Sequence, residues 1–165
     1  MRGMVDRRFG SIPFVTVAKR ETLPAADAIE RVTREGKSGF SVMDADDLDR
    51  FEPIEGVELP EGPEYLITDV DTGADLLNVR PDDALETILA RGRSPLTIEE
   101  GIALVTHHPE ALVKNACFSL PGSRCGDKRV AALWISKGAP KLGWCWAGNP
   151  HTWLGSASCG GRTEV

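Results

Sequence analysis

The groups able to do unusual chemistry crowd into one stretch, Pro140–Gly161, which reads PKLGWCWAGNPHTWLGSASCGG. Trp144, Trp146 and Trp153 lie here with His151, Cys145 and Cys159, and Trp134, Cys117, Cys125, His107 and His108 all follow residue 106. Indole rings stack flat or cationic ligands, imidazole moves protons or binds metals, and thiols beside cations become nucleophiles. His151 follows the turn Gly148-Asn149-Pro150, so it is expected at a sheet rim, where a ligand can approach. The candidate ligand-binding residues are therefore Trp144, Trp146, Asn149, His151, Trp153 and Arg124. Arg124 belongs to the loop Gly122–Arg129, where Lys128 and Arg129 add cations around two glycines and would suit an anion. No helix start follows that loop, as a phosphate-binding P-loop requires. Cys125 is the thiol there that neighbouring cations would activate if it is exposed.

His107, His108 and His151 are the candidate metal ligands. Neighbouring helical residues point about 100° apart, so His107 and His108 cannot both reach one ion, and a helix end accounts for both through its dipole. The four cysteines form no C-x-x-C pair and read as buried free thiols. Asp69, Asp71 and Asp75 resemble the opening of a calcium loop but lack its later bidentate glutamate, so they read as a turn. No cofactor can be named from these residues.

Charge separates along the chain. Residues 107–165 hold seven Lys/Arg against three Asp/Glu, and residues 1–106 hold twelve against twenty-two. The Trp-rich part is thus the basic part, which favours an anionic small molecule or a protein partner, a second copy of the chain included. A hydrophobic fraction of 41% with 27% charged residues is that of a soluble globular protein. The 165 residues suit one domain, with residues 1–10 as a charged tail. Ile12–Ala18, broken by Pro13 and Thr16, is too short for a signal or a membrane span, so a cytoplasmic location and no membrane contact are expected.

The elements that must position these groups follow from periodicity. Ile12–Ala18 reads as a strand, 24–35 as a helix behind Pro24, and Gly39–Met43 as a short strand. Residues 44–64 hold nine acids, one base and three prolines, and are expected to wrap the surface as an acidic extended connection. Tyr65–Val70 and Asp75–Val79 read as a hairpin turning at Gly73. Helices follow at 81–91 and 97–108, the second opened by a Thr97/Glu100 capping box, with a short helical piece at 110–115. This helix pair carries no Lys or Arg between Glu99 and Pro109, so nucleic-acid binding through it is not expected.

The C-terminal region reads as a meander of strands at 117–120, 130–135, 142–147 and 152–159. Alternation places Leu142, Trp144 and Trp146 on one face and Cys145 with Ala147 on the other. A continuous last strand would put His151, Trp153, Ala157 and Cys159 together. The fold class expected is α+β, a mainly antiparallel sheet with a C-terminal β-meander and about three helices packed on one face.

The run Arg91–Leu112, followed by Ala132–Ser136 and Pro140–Gly155, resembles a family of small actinobacterial proteins known as domain of unknown function 5701. The similarity runs from about Pro13 to Arg162, and its C-terminal string is specific. The resemblance implies a soluble bacterial protein, in many members with a further N-terminal segment, and brings no activity, cofactor or catalytic residue. From the residues, the expected function is a non-enzymatic binding module with a Trp/His-rich rim. The rival is a small enzyme using His151 with His107, His108, Asp127 or a cysteine, with or without a metal.

Overall fold

A computed structural model describes residues 12–165, so the charged tail expected at 1–10 lies outside the described residues. The fold is α+β, with a three-stranded and a five-stranded sheet and helices between and beside them. Strand β1 (Ile12–Ala18) buries Val15 and Val17 by simple alternation. Pro24 then starts α1 (Ala25–Glu30), a shorter helix than periodicity suggests. Glu35 and Gly36 both take positive φ, so the chain reverses at once into the hairpin β2 (Thr33–Arg34) and β3 (Lys37–Ser38). β4 (Phe40–Ser41) follows.

The acidic connection is less extended than its composition implies. Asp44 accepts the Asp47 N–H at 2.8 Å and caps α2 (Ala45–Asp49), whose acids sit in the first turn where the helix dipole favours them. Phe51 and Val57 are buried and pin the stretch down, and β5 (Glu52–Pro53) pairs with β9 (Ser123–Arg124).

β6 (Glu64–Val70) forms as expected, but it is no hairpin arm. A 3-10 turn, Ala74–Leu76, stands where the second arm should begin, and β6 instead pairs with β1 and with β14 (Gly161–Glu164). Gly73 does supply positive φ. The chain is diverted because the Asp71 carboxylate accepts the Gly73 N–H at 2.7 Å while Asp71 and Ser158 exchange backbone bonds. Leu76 then packs with Ala84 and Ile88 of α3 (Pro81–Ala90) in a small cluster of their own.

Beyond β7 (Ser94–Pro95), α4 (Ile98–His107) opens with the expected capping box and buries Ile98, Ile102, Leu104 and Val105. It touches β1 of the small sheet and, through Gly101, the Leu120 side chain of the large one. The short helical piece expected at 110–115 is a 3-10 turn, Pro109–Ala111.

The large sheet has the order β12-β8-β10-β11-β4. Its centre is the predicted meander: β8 (Cys117–Leu120), β10 (Arg129–Ser136) and β11 (Ala139–Trp146), antiparallel, with Leu133 opposite both Phe118 and Leu142. The last strand of the expected meander is broken. β12 (Leu154–Ser156) runs parallel to β8, Ala157 bridges Ser119 and Leu96, and β13 (Ser158–Cys159) pairs with β7. Residues 154–164 therefore serve three sheets in turn, because each change of partner meets a different edge that still has free backbone groups. Among the described residues, no helix is long and apolar enough to cross a membrane.

Candidate binding surface on the large sheet

The β10–β11 register decides which aromatic rings share a surface. Trp134 stands opposite Lys141, and Ala132 opposite Gly143. Gly143 has no side chain, so the Trp134 ring lies over it: a Cβ there would meet Trp134 Cη2 at 2.5 Å. Lys141 Nζ sits 5.2 Å from the Trp134 ring centre, within cation–π range. Trp153 meets Trp134 edge-on at 5.9 Å, and His151 stacks obliquely on Trp153 at 5.1 Å. The result is a ladder, Lys141, Trp134, Trp153 and His151, with every member part-buried.

Backbone bonds hold the His151 end. The His151 carbonyl accepts the Asn78 N–H at 2.9 Å and the Leu154 N–H at 3.2 Å, and Asn149 N–H closes the preceding turn on Trp146 O at 3.1 Å. The other end is basic: Arg34 donates to Gly138 O at 3.2 Å and Lys37 to Lys137 O at 2.7 Å, which seats the β2–β3 hairpin on the β10–β11 turn. Glu35 partly offsets Arg34 at 2.9 Å. Beside the ladder, Phe40 faces Lys141 across the β4–β11 pairing, and Phe40 and Val42 are 38% and 55% exposed.

The six candidate ligand-binding residues lie in different places. Trp144 and Trp146 project from the opposite face and meet each other at 4.6 Å, as strand alternation requires. There Arg129 packs between Phe51 at 5.5 Å and Trp144 at 5.8 Å, and binds Asp47 through two bonds of 2.8 and 3.0 Å. The Arg129 hydrogen bond holds the Asp47 carboxyl below the usual range, and Arg129, packed on Trp144, ties the acidic connection to β10. Arg124 is on β9, donates to Asp127 O at 3.1 Å and lies 3.7 Å from Asp82. Of His151, Trp153, Ala157 and Cys159, expected together on a continuous last strand, only Trp153 and His151 stay together, since the break after Ser156 carries Ala157 and Cys159 to other partners.

His107 is exposed at the end of α4, and His108 lies 3.3 Å from Glu110. Among the described residues no group of three or more His, Cys, Asp or Glu side chains could hold a metal ion. Burial pushes the Cys145 and Cys159 thiols up to about 11, disfavouring the thiolate, and it also raises Cys117. Cys125 is part-buried and donates to Asp127 at 3.1 Å. Asp69 pairs with Arg93 at 3.0 Å, so the aspartates of the apparent calcium loop act in the turn and its anchors. Lys141, Phe40 and Val42 carry no sequence signal of their own; only the register reveals them.

Gly143→Ala tests the ladder directly. The added methyl must lift the Trp134 ring, so we expect a loss of near-UV circular dichroism from the Trp134–Trp153 pair. Overpacking should also cost about 1–3 kcal/mol in urea denaturation. An unchanged near-UV spectrum would show that the ring does not rest there.

The described residues of this α+β chain assemble an aromatic ladder beside the β10–β11 pair. The chain belongs to the Family of unknown function (DUF5701), whose family model matches residues 3–165. No curated protein and no solved structure matches it.

Proposed function

We propose that this protein is a non-catalytic binding module. Its contact surface is the Trp134–Trp153–His151 ladder with Phe40 and Val42, and its partner is an acidic protein segment bearing aromatic or apolar side chains. The observation that carries this reading is the ladder itself: two indoles in edge-on contact, one imidazole and one ammonium lying part-exposed beside two exposed apolar residues. Trp, together with cations at the border, is what interface hot spots are built from. Arg34, Lys37, Lys137 and Lys141 supply the electrostatic complement to an acidic partner.

The test is a titration with a synthetic peptide alternating Glu and Tyr, followed by tryptophan emission. Saturable change is expected, weakened by added salt. Trp153→Ala and Lys141→Ala should each weaken binding about tenfold, as loss of a hot-spot contact does. Trp146→Ala should change nothing, because that ring is on the other face. Equal damage from Trp146→Ala, or preferential binding of a short oligothymidylate, would refute the reading. A mass that rises with protein concentration and is abolished by Trp153→Ala would replace the peptide by a second copy of the chain.

A further inference from the structure

A different part of the molecule holds a cleft that the ladder does not use. It lies between α1, α4 and the free edge of β1, has a volume of about 90 Å³, and is lined by Leu23, Ala28, Ile102 and Ala103, with Glu99 and Thr16 at its polar boundary and Thr106 and the exposed His107 towards the end of α4. Glu99 also borders a more open hollow of about 570 Å³, whose other charged residues are Arg20, Glu21, Asp27 and Asp49. Its side chain is 12% exposed.

Nothing in the helix requires a carboxylate to be buried at this position. The α4 cap is already made by Thr97 and Glu100, and the helix dipole would favour an exposed acid equally well. Arg20 is an incomplete partner. One nitrogen lies 3.3 Å from Glu99 Oε2, while its donors also reach the carbonyls of Asp49 and Phe51 and come within 3.5 Å of Glu52. Burial raises the Glu99 carboxyl even with Arg20 present. A carboxylate at the junction of an apolar cleft and a mainly acidic hollow is complementary to one kind of ligand: an apolar body with a positive end.

We propose that this cleft binds a small linear aliphatic ammonium ion, its nitrogen at Glu99 and its chain against Leu23, Ala28, Ile102 and Ala103. An aliphatic carboxylate of the same length meets repulsion from Glu99, Glu21, Asp27 and Asp49. An alcohol fills the same space but adds no cation to the one Arg20 already presents to Glu99.

The experiment is an amide chemical-shift titration of the full chain with n-butylammonium chloride, n-butanol and sodium butyrate. n-Butylammonium is expected to give saturable shifts at Leu23, Ala28, Ile102 and Ala103. It should bind about tenfold more tightly than either of the others, the scale of one hydrogen bond to a charged group. Glu99→Gln should remove that preference and leave the butanol response unchanged. Ala103→Leu, which fills the cleft, should abolish the shifts with all three, and it decides the matter even if Glu99→Gln folds poorly. Equal binding of butanol and butylammonium, an unchanged preference in Glu99→Gln, saturation that survives Ala103→Leu, or no saturable shift at these amides would each overturn the proposal.

Discussion

Glu100→Ala is expected to destabilise the protein by about 3–5 kcal/mol, the range found when one partner is taken from a buried ion pair. Glu100 is fully buried and Arg162 is 7% exposed. The guanidinium grips both carboxylate oxygens, Nε to Oε2 at 2.6 Å and Nη2 to Oε1 at 2.9 Å, and also binds Ser94 Oγ and Pro95 O. Tyr65 donates to Oε2 at 2.7 Å and the Thr97 N–H to Oε1 at 2.9 Å. Burial and the neighbouring carboxylate push the Tyr65 phenol far up; burial opposes the Arg162 charge, but Glu100 outweighs it and raises that group. One side chain thus ties α4 to β6, β7 and β14, and its loss strands an arginine in the interior. Arg162→Ala should cost a similar amount and the double replacement clearly less than the sum, because both variants remove the same interaction. Thr97→Ala removes only a cap and should cost about 1 kcal/mol. Urea midpoints measure all four. A cost for Arg162→Ala no greater than that of Thr97→Ala would mean the pair does not join these elements.

Glu100 also shows which parts of the fold the sequence discloses. Its capping role is local, three residues from Thr97, and is legible as a motif. Its partner Arg162 is 62 residues away, and no spacing rule connects them. The same division runs through the rest of the chain. Separation of Trp144 from Cys145 follows from alternation within β11, and the antiparallel β8, β10 and β11 follow from their turns. The ladder does not, because it depends on a register, Trp134 opposite Lys141, and on Trp153 being placed by a strand that leaves the meander to run beside β8. Helix α2 is hidden by its own acids, which composition reads as solvation but which cap a turn and supply Asp47 to Arg129. The false hairpin at Gly73 is the reverse error: the residue type discloses the positive φ but not the destination, since backbone partners on Ser158 decide where the chain goes.

Gly73→Ala is expected to cost about 2–4 kcal/mol, because two penalties coincide there. Gly73 has φ +83, which disfavours any side chain, and a Cβ would lie 2.0 Å from Ser156 O, a backbone atom that no rotamer change can move. The approach is reciprocal, since a Cβ on Gly155 would meet Gly73 O at 2.1 Å. This contact lets the Leu76, Ala84 and Ile88 cluster dock on β12. Two other variants separate the penalties. Gly36 has φ +79 with nothing within 4 Å of an added methyl, so Gly36→Ala should show the backbone cost alone, about 1–2 kcal/mol. Gly155 has no positive φ, so Gly155→Ala should show the packing cost alone, about 1–3 kcal/mol. Native-state hydrogen exchange adds a spatial signature: in Gly73→Ala and Gly155→Ala, protection should fall in α3 and around residues 74–79 more than in β10 and β11, because the small cluster loses its seat while the main core keeps its own. Gly73→Ala no costlier than Gly36→Ala, or protection lost evenly across the sheet, would contradict this account of how α3 is held.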